Sequence, residues 1–551
     1  MGFSLARQER ADNRMTADTR FGRVAQVSFW LLLISYVSFL LSLGALPSED
    51  GPVHVYYADV FRDLLTGGNS YSHYFEIRHW LAPYALIYYL FIALDRFVSP
   101  LIADRLVVCL YTILLVCGFR YLLRVLNPRS AAIAVLVFPF VFNKFVYLGF
   151  YNFALAVALT LILCAYWLRD PLRLSGWRRY RFLMLVILVL LTHPIPLFVA
   201  FLVMGTHLLI LIITAAARLP GLWRKRLWLA VGESRTAIVS MLIACSASLY
   251  VLLFVSGAGN AKFSTMAESL VKVRKVILFG PISPFQVWYY ALPLGLLVLG
   301  VSLPVMVLAF RRRIEWSQPQ LALLVVGVLS VLFYIVAPEA FSGGSFFDQR
   351  FPIFAVLFIL AALGSNQVFE RGGYRGAVIV AAIVVGIGSL IYQMEFCRRY
   401  QVAVDLYRLP AVKAGAKGAI VIDDASIFLP PGLAFGPYRW VGAHYFRHSK
   451  AVLLNAPFLY TGTMPLKIAP SSLTPLNPLG SEINPRAMER VLFSYSPRDE
   501  VDFVVFIGNS DHLPADSLFS RLCARYGFAK AWSTDSVSIY MRPTSFVGAE
   551  R

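Results

Sequence analysis

The sequence predicts a polytopic α-helical membrane protein of about eleven transmembrane helices, carrying a C-terminal extracytoplasmic α/β domain. Three observations predict it. Of 551 residues, 58% are hydrophobic and only 15% are charged, against about 25% charged in an ordinary soluble domain. The mean hydropathy is +0.67. Runs of spanning length recur through the first 394 residues, and a composition richer in short strands follows them. No water-soluble fold of this size covers so much apolar surface, so a soluble enzyme, a disordered chain and a fibrous protein are excluded. The net charge of +20 would suggest nucleic acid in a soluble protein. Here arginines flanking the cytoplasmic ends of spans account for it, and no nucleic-acid partner is expected.

Residues 1–23 contain Arg7, Arg10, Arg14, Arg20 and Arg23 and read as a cytoplasmic N-terminus. The apolar run Val24–Leu46 exceeds the roughly 7–15 residues of a signal-peptide core and reads as an uncleaved first span. Further runs begin near Leu81, Ala103, Ala131, Phe150, Arg181, Ile195, Thr236, Trp288, Gln320, Phe351 and Gly376. If Leu81–Val98 lies on the outer face instead of crossing, the arginine clusters at 120–129, 169–181, 218–235, 311–313 and 371–375 all share the side of the N-terminus, as the positive-inside rule requires. That choice gives eleven spans within a membrane domain of residues 24–394, with a first extracytoplasmic loop at 47–102. The expected location is the plasma (inner) membrane. Residues 395–551 are read as the outer α/β domain, from strand-like runs at 419–424, 451–454, 501–507 and 537–541 and a helix over Ser517–Tyr526. Six cysteines without a C-x-x-C pair indicate neither a disulfide framework nor a zinc site.

This topology gathers polar residues at one membrane depth. In Ser48-Glu49-Asp50-Gly51-Pro52-Val53-His54, Pro52 suits a first helical turn, so Asp50 stands just before a helix start. It is either a helix cap or a general base, with Glu49 beside it and His54 one turn further on. His73, Glu76, Arg78 and His79 crowd the far half of the loop, where a phosphate headgroup would need cations. Lys144, Tyr151 and Asn152 fall at the outer turn between spans three and four, His193 between spans five and six, and Asp348 and Arg350 where the chain re-enters the membrane. Taken singly, Lys144 and Arg350 read as snorkelling cations and His193 as a satisfied histidine at a broken span. Their common depth with Asp50 favours a ligand site, because polar groups at a membrane boundary are costly. Walker A, H-E-x-x-H, dinucleotide-fingerprint and D-x-D motifs are absent.

The order of these parts resembles the GT-C superfamily of integral-membrane glycosyltransferases, which includes the protein O-mannosyltransferases and the lipid A aminoarabinose transferases. Glu49-Asp50 stands where that family has an acidic pair opening its first outer loop. Gly149-Phe150-Tyr151-Asn152-Phe153 stands where many members carry a second acidic residue, which is missing here. The resemblance implies inverting sugar transfer from a polyprenyl-phosphate donor to an acceptor hydroxyl on a lipid, glycan or protein. Asp50 would act as base, and Lys144, Arg78, His79, His193 and Arg350 as phosphate-stabilising cations. No cofactor is certain, and a divalent cation stays open. Two rival classes are a transporter or flippase for lipid-linked saccharides and a non-enzymatic membrane scaffold or sensor.

Overall fold

In the computed structural model the described residues are 2–218, 229, 231–232, 234–255, 261–277, 281–285, 288–310, 315–341, 346–367, 372–422, 440–453, 466–468, 501–508, 513–534 and 536–542. The chain opens with α1 (Gly2–Ser42), α2 (Gly51–Leu65), β1 (Phe75–Ile77), α3 (Ala85–Leu94) and α4 (Pro100–Leu126). A 3-10 helix over Pro128–Phe140 leads to α5 (Lys144–Tyr147), α6 (Tyr151–Arg169), α7 (Gly176–Thr192) and α8 (Pro194–Arg218). Later helices run over Arg235–Val255, Met266–Ile277, Trp288–Phe310, Gln318–Val336, Pro352–Gly364 and Gly372–Arg399.

Among the described residues six helical segments are long and apolar enough to cross a membrane: Gly22–Ser42, Pro100–Leu126, Tyr151–Arg169, Pro194–Arg218, Gln318–Val336 and Tyr374–Leu406. Several of the other runs expected to span are shorter or interrupted. Pro293 and Pro304 sit inside Trp288–Phe310, and Pro352–Gly364 has only 13 residues. The run Leu81–Val98 yields the ten-residue α3, about 15 Å long at 1.5 Å per residue, half of a ~30 Å hydrocarbon layer. The run from Ala131 does not form an α-helix. Its 13-residue 3-10 helix, at about 2.0 Å per residue, covers roughly 26 Å, with Ile133 to Phe142 buried throughout.

The helices α1 and α4 lie antiparallel. At one end Arg105 donates to the Leu41 carbonyl at 2.8 Å; at the other the Arg120 guanidinium lies 4.6 Å from the Phe29 ring centroid. The Tyr36 hydroxyl donates to the Gly386 carbonyl at 2.8 Å, which ties α1 to Gly372–Arg399 at mid-length.

Short strands close the loops and build the C-terminal region. β2 (Ala261–Lys262) pairs antiparallel with β3 (Ala340–Phe341). β4 (Lys417–Ile422) lies between β5 (Val452–Leu453) and β7 (Phe503–Ile507), parallel to both, and β9 (Val537–Met541) and β8 (Ala529–Ser533) extend the sheet antiparallel in the order β5-β4-β7-β9-β8. Every residue of β7 is buried, which explains its unbroken apolar run. The expected helix forms over Leu518–Tyr526, capped by Ser517, whose side chain accepts from the Ser520 N–H. Asp423-Asp424 and most of the Pro/Ser-rich stretch at 465–485 lie outside the described residues.

The first loop and the C-terminal chain pack together. β1 pairs antiparallel with β6 (Leu466–Ile468), Phe75 opposite Ile468. The Tyr56 hydroxyl donates to the Ala451 carbonyl at 3.2 Å and accepts from the Leu453 N–H at 3.0 Å. Arg447 and Asp95 form an ion pair at 2.6 Å between side chains 9% and 2% exposed. The first eleven residues of α2, Gly51 to Phe61, are therefore all buried. Asp59, expected on a solvated face of the same loop as Asp50, is buried instead: it pairs with Arg62 and accepts from the Tyr71 hydroxyl at 3.1 Å.

Candidate functional site

The site is organised by one turn. Between α5 and α6 the chain bends at Gly149, whose φ of +76° is a region open to glycine and costly for other residues. The segment 47–51 lies against this bend. The Glu49 N–H donates to the Tyr147 carbonyl at 2.8 Å, and the Asp50 N–H to the Leu148 carbonyl at 3.1 Å. A Cβ on residue 149 would collide with the Gly51 nitrogen and stand 2.8 Å from the Asp50 nitrogen. Glycine is thus required twice, for the backbone angle and for the approach.

Asp50 occupies the position before α2, as the Pro52 signal predicts, but its side chain makes no capping bond to the helix. The His54 N–H bonds the Asp50 carbonyl oxygen at 3.1 Å, and His54 Nδ1 lies 2.9 Å from the Tyr88 hydroxyl on α3. Burial pushes the His54 imidazole down to about 4, so it is neutral at pH 7 and exchanges hydrogen bonds rather than charge.

On the flank of the turn toward α4, the Tyr151 hydroxyl lies 3.0 Å from Ser48 Oγ and bonds the carboxylate of Asp104. Asp104 is 3% exposed. Its carboxyl stands in the neighbourhood where the sequence lacks a second acid at 149–153. Asn152, the residue after Tyr151, is buried, and its Oδ1 has no hydrogen-bond partner.

The other flank is cationic. The Arg350 guanidinium lies over the rings of Phe150 and Phe153, 5.2 and 5.8 Å from their centroids. It bonds the hydroxyl of Tyr84 and stands 3.0 Å from His193 Nε2. The other ring nitrogen, His193 Nδ1, accepts from the Ile195 N–H at 3.1 Å at the start of α8. A neutral imidazole accepts at one nitrogen and donates at the other. The two contacts ask for opposite tautomers of a neutral ring: with Nδ1 accepting from Ile195, Nε2–H faces the Arg350 N–H, and with Nε2 accepting from Arg350, Nδ1–H faces the Ile195 N–H. Burial and Arg350 hold the His193 pKa well below its ordinary value, which leaves the ring neutral. An anion beside this pair would receive both donors. Tyr84 itself has φ +75°, a strained conformation worth roughly 1–3 kcal/mol that tends to persist at working sites.

Lys144, 7% exposed, donates to Gln349 Oε1 at 2.7 Å and lies 5.0 Å from the Phe346 ring centroid. Burial, then the neighbouring Lys275 charge, lowers it to about 8, opposed by Glu49 and Asp348. Asp348 is committed to Lys272 at 2.7 Å. Among the described residues no group of three or more His, Cys, Asp or Glu side chains forms a metal-binding cluster.

No protein-family model matches this chain and no curated protein matches it.

The predicted residues fall into two groups. Glu49, Asp50, Lys144, Tyr151, His193 and Arg350 are joined through the 147–151 turn, and His54 adjoins them through Tyr88. Others are not joined to it by these contacts. Glu76 pairs with Lys467 at 2.8 Å across β1 and β6, so it serves the strand pairing. His73 is exposed, and Arg78 and His79 are half-buried in the extended chain after β1. Asp348 holds Lys272 and so contributes to the cluster's charge from behind. Sequence reasoning missed Asp104, Tyr84, Tyr88 and Lys272. A lone acid near the start of the long, largely apolar helix α4 was the available signal for Asp104; the tyrosines are masked by the aromatic belt expected at a membrane boundary.

Proposed function

We propose that this chain is a membrane glycosyltransferase that moves a sugar from a polyprenyl-phosphate donor to an acceptor hydroxyl at the outer face of the membrane. The observation that carries the reading is the two-sided turn: Asp50 is fixed by backbone bonds on one side of residues 147–151, and Arg350 is stacked on Phe150 of that turn and on Phe153 at the start of α6. A base and an anion-stabilising group at fixed separation suit a displacement in which a proton leaves one partner while negative charge grows on the other.

The residues divide the chemistry as follows. Asp50 accepts the proton of the acceptor hydroxyl as its oxygen forms a bond to the anomeric carbon. The bond from that carbon to the phosphate oxygen breaks on the opposite face, with inversion, and the electron pair stays on the polyprenyl phosphate. Arg350 and His193 Nε2–H donate to that phosphate, Lys144 adds charge, and Tyr84 fixes the Arg350 fork. Ser48, Tyr151 and Asp104 hold the backbone and hydroxyl dipoles beside Asp50. A transporter reading places its substrate groups at mid-depth; the acid and cations gathered here instead surround the 147–151 turn, with Asp104 near the start of α4.

The test is direct. Purified full-length protein is incubated with radiolabelled polyprenyl-phosphate sugars, and release of the sugar or its transfer to lipid, glycan and protein acceptors is measured. Turnover with any donor supports the reading. Binding of every donor without turnover, in the presence of all three acceptor classes, contradicts it.

A further inference from the structure

At the end of the helical bundle away from Asp50 there is a cavity of about 680 Å³ lined by Arg23, Arg120, Arg124, Arg129 and Arg375, with Phe29 against Arg120. From Asp104 to Arg120 along α4 is sixteen residues, about 24 Å at 1.5 Å per residue, so this cavity is separate from the site at the 147–151 turn. Five guanidinium groups from α1, α4, the start of the 3-10 helix and Gly372–Arg399 converge on it, and no carboxylate is among its described lining residues. Arginines that flank spans for topology alone would face the headgroup layer individually. These do not. Arg120 is 8% exposed and lies between the rings of Phe29 and Trp30, 4.6 and 5.2 Å from their centroids. Arg375 Nη2 is oriented by the Arg129 carbonyl at 2.8 Å. The Nε atoms of both Arg120 and Arg375 are buried without a hydrogen-bond partner, which is costly for a charged donor. Like charges held this closely repel, and an anion with several oxygens would relieve both costs at once.

We propose that this cavity binds the phosphate headgroup of an anionic membrane lipid. Phosphate matches guanidinium geometry, accepting paired N–H bonds from each arginine. A lipid rather than a free phosphate is favoured by what adjoins the cavity: Val27, Trp30 and Leu31, on α1 next to the lining residues Gln26 and Phe29, are 57%, 44% and 59% exposed, an apolar surface along which an acyl chain can lie. Basic pockets between helices at the headgroup level are a recurrent mode of lipid recognition. The inference does not depend on the sugar-transfer reading.

The test is native mass spectrometry of the full-length protein in detergent, titrated with dioleoyl-phosphatidylglycerol, with dioleoyl-phosphatidylcholine and inorganic pyrophosphate as separate arms. Phosphatidylglycerol should be retained at low stoichiometry, and phosphatidylcholine and pyrophosphate should not. Arg375→Gln and Arg124→Gln should each weaken retention roughly fivefold, the value of one arginine near an anionic surface. Both positions are less enclosed than Arg120, so these variants test the cavity even if Arg120→Gln fails to fold. Arg173→Gln, an exposed arginine paired with Asp170 outside the cavity, should leave retention unchanged. Equal loss with Arg173→Gln, equal retention of phosphatidylcholine, or binding of pyrophosphate in preference to lipid would each overturn the proposal.

Discussion

Gly149 and Asp50 are in backbone contact: a Cβ on the first would lie 2.8 Å from the amide nitrogen of the second. The position of Asp50 therefore depends on a residue about one hundred positions away that contributes no side chain. Gly149→Ala should combine the cost of a left-handed alanine, on the order of 1 kcal/mol, with displacement of the 47–51 segment. We expect a folded protein with a lowered melting temperature and transfer activity reduced more than tenfold. Full activity at an unchanged melting temperature would show that the turn does not set the site.

Lys144 gives the site a pH dependence. Burial lowers its pKa to about 8, so the charged form is the one disfavoured in the empty site. An anion needs that charge, and binding it would in turn pull the pKa upward. Affinity for a polyprenyl-phosphate sugar, a phosphodiester with no second ionisation near neutrality, should thus be level below about pH 7 and fall as pH rises through 8. Lys144→Arg, whose guanidinium stays charged, should flatten the profile to pH 9; a profile unchanged by that substitution would remove Lys144 from the phosphate site.

The arrangement of Arg350 and His193 predicts coupling. Hydrogen bonds to charged groups are worth about 1.5–3 kcal/mol, so Arg350→Gln should weaken polyprenyl-phosphate inhibition roughly 10- to 150-fold. If both donors converge on one phosphate, His193→Phe should weaken it far less in the Arg350→Gln background than alone. Strict additivity in that double-mutant cycle would separate the two residues.

Asp59 makes a structural contrast. Its side chain is 3% exposed, while its partner Arg62 is 31% exposed, so solvent screens part of the pair. Asp59→Asn keeps an acceptor for the Tyr71 hydroxyl but removes the charge opposite Arg62. A loss of about 1 kcal/mol of stability is expected, with turnover per folded molecule unchanged; thermal melts and active-site-normalised rates separate the two effects.

These residues also mark what the sequence made legible. Pro52 announced the start of α2 and so the position of Asp50, and hydropathy located the long helices because apolar length is a direct signal. The order of Lys144, His193 and Arg350 along alternating runs was enough to bring them to one depth. Other features depend on contacts that no local pattern encodes. Asp59 is expected on a solvated face of the first loop, yet the C-terminal chain covers both faces of α2 through Tyr56, Ala451 and Leu453. The 3-10 helix at Pro128–Phe140 is as apolar in sequence as an α-helical span and differs in its hydrogen-bond pattern and rise, which hydropathy does not encode. Tyr84 is defined by a backbone angle, and Glu76 by a strand partner nearly four hundred residues away.

The central claim is that Asp50 removes the acceptor proton. The most direct measurement is sugar transfer by purified Asp50→Asn protein under donor saturation, alongside its affinity for the polyprenyl-phosphate product. Asparagine nearly preserves the shape and removes the base, a change expected to cost roughly 10²–10⁴-fold in turnover. That loss is expected with normal folding and product affinity within a few-fold of the unaltered protein. Undiminished transfer by Asp50→Asn would contradict it.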